Sequence, residues 1–223
     1  MTVEPAVTEA AVTEAAVSEA AVTEAAVTEA ALWVVRHGQT EWSRDGRHTG
    51  RTEVELTSDG ELQAAALATF AAGLGEQRVL VSPRVRARRT AELAGLVPFE
   101  VVADLAEWDY GDLEGLTTAE IHENYPRWSI WDGPWPGGET SAEVGARADR
   151  VIERVRSGVD AKVIAVCHGH FGRVLAARWV GAPVSTGRWL ELDTATWSQL
   201  GWDRGSPVVT HWNVPAARQG GDR

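Results

Sequence analysis

From residue 31 onward, short apolar runs alternate along the chain with segments of helical periodicity. Four runs have the length and composition of buried strands: 31–35, 78–82, 99–102 and 162–167. The segments between and after them are typical of helices: 62–72, 83–93, 118–124, 140–156 and 171–180. Strands that alternate with helices predict an α/β fold. We expect a three-layer sandwich with helices on both faces of a mostly parallel central sheet.

Local signals refine these boundaries. Ser58 with Glu61, and Thr140 with Glu143, match the capping box that begins a helix. The polar, glycine-containing segment 41–56 predicts a long loop. Alternation across 188–213, interrupted at 203–205, predicts a β-hairpin at the end of the fold.

The segment before residue 31 has a different character. Residues 6–30 repeat the pattern AVTEA, with AVSEA once, and contain no aromatic residue. A period of five does not match the 3.6 residues of a helical turn, so no apolar face forms. We expect a low-complexity tail over 1–31, disordered or frayed, followed by one domain over 32–223. The tail contributes −6 of the net charge of −11 through six Glu and no Lys or Arg.

Composition excludes several function classes. The tail lacks the basic and apolar regions of a signal peptide, and no stretch approaches the length of a membrane span. Cys167 is the only cysteine, so no internal disulfide can form. An acidic domain disfavours nucleic acid as a partner. We therefore expect a cytoplasmic protein that binds neither a membrane nor a nucleic acid.

The first predicted strand ends in Arg36-His37-Gly38. Arginine is a fixed cation suited to an anionic group, and histidine can attack or transfer protons. Glycine lets the backbone turn sharply. Ligands of open α/β sheets bind at the carboxyl ends of the strands, so we expect chemistry here.

Other strand ends carry matching groups. Arg86 follows the second strand, Glu107 follows the third, and His168 follows the fourth. In a parallel sheet these ends share one edge, so the side chains can meet. Phosphoryl transfer needs fixed positive charge, an in-line nucleophile and an acid for the leaving oxygen. A histidine nucleophile would form a phosphohistidine and divide the reaction into two easier steps.

Taken together, these motifs resemble the histidine phosphatase superfamily, which includes the cofactor-dependent phosphoglycerate mutases. The resemblance covers residues 32–213. It rests on the ordered segments Arg36–Ser43, Thr49-Gly50, Leu56-Thr57 with Gly60, Ser82–Ala87 with Thr90-Ala91, Glu107–Gly111 with Glu114-Gly115, and His168–His170. The resemblance implies a phosphoglycerate mutase-like fold.

The same resemblance implies roles for individual residues. His37 is the implied phosphorylated nucleophile, and Glu107 is the implied proton donor and later the base for water. Arg36, Arg86 and His168 form the implied phosphate clamp. The implied substrate contacts are Ser43, Thr49, Gly50, Gly169 and His170. No metal and no organic cofactor are implied, and the partner is a small phosphorylated substrate; a homodimer stays open.

Several residues keep a second interpretation. Arg84 and Arg88 share a helix face and are expected at the surface, and Asp109 is a reserve proton donor. His48, with His122 and His211, is expected to be an ordinary surface or packing residue. The tryptophans of the 128–138 loop either cover the site or hold the loop in place: Trp128, Trp131 and Trp135.

Three functions are consistent with these residues. Only 60 residues separate Glu107 from His168, fewer than the mutases of the family place there. The acid motif Glu107–Gly111 also lacks the Arg-His that follows the mutase glutamate. Both features favour a phosphomonoesterase acting on a sugar phosphate or a similar metabolite. The alternatives are a phosphoglycerate mutase and a non-catalytic protein that binds a phosphorylated ligand.

Overall fold

The computed structural model describes residues 29–216. Within these residues, six strands form one sheet in the order β3-β2-β4-β1-β5-β6. Neighbours among the first four are parallel, and β5 is antiparallel to both β1 and β6. The strands are β1 (Ala31–Arg36), β2 (Arg78–Val81), β3 (Glu100–Val101), β4 (Lys162–Cys167), β5 (Thr196–Asp203) and β6 (Ser206–Pro215). The mostly parallel sheet predicted from the sequence is confirmed.

In the described part of the chain, seven α-helices accompany the sheet. They are α1 (Glu41–Arg44), α2 (Ser58–Ala66), α3 (Ala68–Leu74), α4 (Val85–Leu93), α5 (Thr118–Asn124), α6 (Ser141–Arg156) and α7 (Gly169–Trp179). Short 3₁₀ helices occupy 103–105, 111–113 and 184–189.

Helices cover both faces of the sheet, as a three-layer sandwich requires. Val34 and Val35 are adjacent in β1 and face opposite sides, because side chains alternate along a strand. Val34 packs in one core with Phe171 of α7 and residues of α6. Val35 packs in the other core with Ala91 of α4 and residues of α3. Burial on both faces explains why the central strands are continuous apolar runs.

Two helix starts differ from the prediction. Thr57, not Ser58, caps α2, and its side chain accepts from the N–H of Gly60. Both Thr and Ser are good caps, so sequence alone did not choose between them. Arg84 is the cap residue of α4, so this helix begins at Val85, two residues beyond Pro83. The Thr140–Glu143 capping box of α6 is confirmed.

Four further boundaries were wrong in detail. The predicted loop 41–56 contains the one-turn helix α1, whose cap Thr40 bonds with Ser43. The predicted helix 62–72 is two helices that meet at Leu67. The third strand has two residues, and the terminal hairpin begins at Thr196 instead of residue 188. The hairpin does turn at Arg204-Gly205, as expected.

The tryptophan-rich loop packs against the body of the domain. Trp128 and Trp131 are buried, and the Trp128 indole N–H donates to the Pro134 carbonyl at 2.9 Å. The Trp135 indole N–H donates to the Ile130 carbonyl at 2.7 Å. These contacts support the interpretation that the tryptophans hold the loop in place.

No helix within residues 29–216 is long and apolar enough to cross a membrane. The predicted repeat tail lies almost entirely outside the described residues, so the division into a tail and a domain stays a prediction.

Candidate active site

The candidate site lies where β2, β4 and β1 end side by side. The His37 N–H donates to the Cys167 carbonyl at 3.1 Å, and the Ser82 N–H donates to the Val166 carbonyl at 3.0 Å. These bonds extend the parallel ladders by one residue beyond each strand. They bring the rings of His37 and His168 to a centroid separation of 5.1 Å.

Main-chain hydrogen bonding orients His37. Its Nδ1 lies 2.7 Å from the Gly38 carbonyl oxygen. A carbonyl can only accept, so Nδ1 carries the proton and Nε2 keeps its lone pair. Burial, followed by the charges of Arg86 and Arg36, holds the pKa of His37 well below its ordinary value. The ring is therefore neutral and can act as a nucleophile at neutral pH.

Arg86 is fully buried behind His37. Its guanidinium donates to the carbonyls of Thr52 at 3.0 Å and Thr49 at 2.9 Å, and to that of Gly50 at 3.2 Å. Its Nε donates to Nδ1 of His168 at 3.2 Å. The turn containing Thr49 and Gly50 therefore fixes the orientation of Arg86.

His168 is also fully buried. Because Nδ1 accepts from Arg86, Nε2 carries the proton, and it donates to the Ser82 hydroxyl at 2.7 Å. Burial and the charge of Arg86 lower the pKa of His168 well below its ordinary value. His168 is thus a neutral hydrogen-bond donor beside His37.

Arg36 is a second cation near His37, and its side chain is half-buried. It donates through Nη1 to the Leu192 carbonyl, while its Nε has no hydrogen-bond partner in the described part of the chain. Gly169 packs against it, and a Cβ added there would lie 3.3 Å from Arg36 Cζ. A buried donor without a partner is costly, which suggests that a ligand completes it.

Glu107 lies at the start of α7. Its Oε1 accepts from the N–H groups of Phe171 at 2.7 Å and Trp108 at 2.8 Å. Its Oε2 accepts from the His170 N–H at 3.0 Å. The N-terminal end of a helix attracts an acidic side chain, so the helix itself positions Glu107 beside the pocket.

Two further side chains flank His170. The Tyr110 hydroxyl lies 2.6 Å from His170 Nδ1. The ring of His48 stacks on that of His170, with 6.0 Å between the ring centroids and an angle of 3° between the ring planes. His48 donates from Nδ1 to the Leu116 carbonyl at 2.8 Å, and Trp128 contacts its ring edge-on at 5.1 Å. The loop tryptophan therefore supports a residue of the pocket wall.

These groups surround a pocket of about 280 Å³. Its walls include the predicted site residues Arg36, His37, Ser43, Thr49, Glu107, Gly169 and His170. Arg86, His168 and Gly50 lie behind this wall, and the Gly50 N–H donates to the Glu114 carboxylate. Other polar residues also line the wall and were not predicted as site residues: Arg47, His48, Tyr110, Thr118 and Arg173.

Comparison with known proteins places this geometry in a family. A model of the histidine phosphatase superfamily (branch 1) matches residues 32–215. The chain belongs to this superfamily. The phosphoglycerate mutase-like fold implied by the sequence motifs is therefore confirmed.

Superfamily members with similar sequences include phosphatases. An acid phosphatase of Mycobacterium tuberculosis (strain ATCC 25618 / H37Rv) is 43% identical over 180 residues, covering 78% of this chain and 87% of the relative. Sedoheptulose 1,7-bisphosphatase of Saccharomyces cerevisiae (strain ATCC 204508 / S288c) is 35% identical over 184 residues, covering 68% of each chain. The solved structure of open reading frame Rv3214 from Mycobacterium tuberculosis has a TM-score of 0.79 at 40% identity, covering 84% of this chain and 99% of that one. This histidine phosphatase is thus a phosphoric monoester hydrolase, as the sequence predicted.

Asp109, the reserve proton donor, and the expected surface residues Arg84 and Arg88 do not line the pocket of the histidine phosphatase. Asp109 forms an ion pair with Arg51 and accepts from the Gly111 N–H. Arg84 pairs with Glu53 at 3.2 Å, and Arg88 is exposed. Within residues 29–216 no cluster of three or more His, Cys, Asp or Glu could hold a metal ion. The expected absence of a metal or cofactor stays a prediction.

Proposed function

We propose that this histidine phosphatase hydrolyses the phosphate monoester of a small metabolite, such as a sugar phosphate, through a phosphohistidine on His37. One observation carries the proposal. Two arginines, the half-buried Arg36 and the buried Arg86, flank a neutral histidine, and neither forms an ion pair with a described carboxylate. An acidic chain keeps unpaired cations where an anion is to bind.

The first step forms the phosphohistidine. The Nε2 lone pair of His37 attacks phosphorus while the bond from phosphorus to the ester oxygen breaks. The leaving oxygen takes a proton from Glu107. Arg36 donates hydrogen bonds to the phosphoryl oxygens as charge shifts onto them. Arg86 and His168 complete the clamp from behind the pocket wall: Arg86 supplies a fixed positive charge, and His168 holds its guanidinium through Nδ1.

The second step releases inorganic phosphate. Water gives a proton to the Glu107 carboxylate and attacks phosphorus, and the P–N bond to His37 breaks. The enzyme returns to its starting protonation state. Glu107 can serve both steps because it lies at the pocket wall and its Oε2 accepts only one backbone N–H, so this oxygen can also hold the transferred proton.

The remaining predicted residues are proposed to contact the substrate or to shape its site. Ser43, Thr49 and His170 line the pocket, so their side chains can meet the leaving group. Gly169 gives Arg36 room. Gly50 acts through Arg86, because the Gly50 carbonyl accepts a hydrogen bond from the Arg86 guanidinium.

We place the enzyme in the reducing cytoplasm. Cys167 is the only cysteine of the chain, and burial raises the pKa of its thiol to about 12. Such a thiol is unreactive and takes no part in the proposed chemistry.

A panel of phosphorylated metabolites tests the function. We expect the purified full chain to release inorganic phosphate from at least one sugar phosphate, and His37→Ala to reduce this release by roughly a thousandfold or more. The matched control is His211→Ala, because His211 is exposed and does not line the pocket. Unchanged release by the His37 variant would refute the nucleophile. Formation of 2-phosphoglycerate from 3-phosphoglycerate without free phosphate would favour the mutase.

A further inference from the structure

Arg173 is a pocket cation that the proposed phosphate chemistry does not use. It lies on α7, four residues after Gly169 and three after His170, so the three residues share one face of the helix. All three line the pocket that contains His37. Arg173 is half-buried there.

Neutral groups hold the Arg173 guanidinium in place. Its Nε donates to the Gly187 carbonyl at 2.8 Å, and its Nη2 donates to the Arg188 carbonyl at 3.1 Å. The guanidinium also lies over the Trp131 ring, 4.7 Å from the centroid. These contacts fix its position without neutralising its charge.

Two nearby arginines, unlike Arg173, form ion pairs with carboxylates. Arg47 lines the same pocket and forms an ion pair with Glu120 at 3.4 Å. Arg188 anchors the same 184–189 segment through the Ser185 carbonyl, and it pairs with Asp132 at 2.7 Å. Arg173 forms no ion pair with a carboxylate in the described part of the chain.

The Glu107 carboxylate in the pocket does not form the missing ion pair with Arg173. Glu107 raises the pKa of Arg173 through its charge, but burial has the larger effect and lowers that pKa. Both Glu107 oxygens accept from backbone N–H groups. Arg173 thus shares the state of Arg36 and Arg86: positioned, partly desolvated and lacking a paired anion.

We propose, on the basis of the proposed hydrolysis, that Arg173 binds a second acidic group carried by the leaving-group alcohol of the substrate. The preferred substrate class is then a phosphate monoester that also bears a carboxylate or a second phosphate. His170 adjoins this subsite. Because burial and Arg173 keep the His170 pKa well below its ordinary value, this ring is neutral, and the positive charge of the subsite comes from Arg173.

Matched substrate pairs test the proposal. Glycerol 3-phosphate and 3-phosphoglycerate differ in one end group, a neutral CH₂OH or a carboxylate. Fructose 6-phosphate and fructose 1,6-bisphosphate differ by a second phosphate. We expect the full chain to favour the doubly acidic member of at least one pair in kcat/KM. The pair that shows the preference identifies the second group as carboxylate or phosphate.

Arg173→Gln should remove that preference. A hydrogen bond to a charged partner corresponds to roughly 10- to 100-fold, so the ratio of kcat/KM within the favoured pair should fall by about that factor. The lower ratio should result mainly from a higher KM for the doubly acidic substrate. Arg173→Lys should restore part of the preference. Arg178→Gln is the matched control, because Arg178 lies on the same helix, pairs with Asp149 and does not line the pocket.

The outcomes separate the two proposals. Phosphate release from all four compounds with no preference in either pair overturns the second-anion subsite and leaves the hydrolase intact. An equal fall on both members of the favoured pair in Arg173→Gln also overturns it, since that result indicates a structural role. Release from no phosphate monoester at all refutes the proposed function, and the subsite with it.

Discussion

The Nδ1 atom of His37 lies 2.7 Å from the carbonyl oxygen of Gly38, the next residue in the chain. This hydrogen bond assigns the proton to Nδ1 and leaves Nε2 unprotonated. Position 38 has no room for a side chain, because a Cβ on Gly38 would lie 2.3 Å from the Gly60 carbonyl oxygen. Glycine therefore lets the backbone of α2 pack against this position, while its carbonyl sets the protonation of the histidine before it.

The low His37 pKa predicts the acid side of the pH–rate profile. His37 must be neutral to attack, so lowering its pKa extends activity to lower pH. In wild type, the loss of kcat/KM caused by His37 protonation should lie below pH 6.5, the ordinary value. Arg36→Gln removes one of the charges that lower this pKa, so its acid limb should move upward. Profiles of both proteins on one substrate provide the measurement, since substrate ionisation then cancels.

A limb at the same pH in both proteins would contradict this account of the electrostatics. Arg88→Gln is the matched control, because Arg88 is exposed and outside the pocket. Its limb should coincide with that of wild type.

The buried histidines also predict how the free energy of unfolding depends on pH. Burial lowers the folded-state pKa of four of them: His37, His48, His168 and His170. The unfolded chain then binds more protons than the folded one once the pH falls below about 6.5, so stability is lost as the pH decreases from there. Each such histidine contributes up to about 1.4 kcal/mol per pH unit to the slope of the unfolding free energy against pH.

Denaturant melts between pH 7.5 and pH 5 would measure this loss. His168→Asn removes one of the four groups and should flatten the slope of unfolding free energy against pH. Gly73→Ala serves as the control, because it changes no titratable group and a Cβ there meets nothing within 4 Å, so the slope should stay as in wild type. A free energy that stays level or rises on acidification would contradict the prediction.

The strand ends explain how much of the site could be predicted from sequence. His37 and His168 were predicted to meet because both follow apolar strands that had to be parallel. His48 and Arg173 gave no such signal, because their approach depends on loop packing and on the path of α7 past the pocket. A single histidine in a polar loop resembles a surface residue. Only the folded chain shows that His48 stacks on His170.

Gly169 offers a test of the space around Arg36. A Cβ at this position would lie 3.3 Å from Arg36 Cζ, so Gly169→Ala should displace the guanidinium. Small misplacements of a phosphate-binding group reduce activity on the order of tenfold to a hundredfold. Phosphate release and the melting temperature together provide the measurement, and we expect the first to fall much more than the second.

Gly73→Ala is the matched control. Gly73 lies inside α3, and a Cβ there meets nothing within 4 Å. Alanine in that position should stabilise the fold by about 0.4–1 kcal/mol and leave activity unchanged. Full activity in Gly169→Ala would show that Arg36 does not need its observed position.

Glu107→Gln tests the proton donor through the leaving group. Glutamine keeps the size of the side chain and one acceptor oxygen toward the N–H groups of α7, but it cannot transfer a proton. Alkyl phosphates need that proton, so their turnover should fall by roughly 10²–10⁴-fold. The first step with p-nitrophenyl phosphate should fall far less, because nitrophenolate leaves without protonation. A burst of nitrophenolate followed by slow turnover is expected in a stopped-flow assay. Equal losses of first-step rate on both substrate classes would instead assign Glu107 a purely structural role at the start of α7.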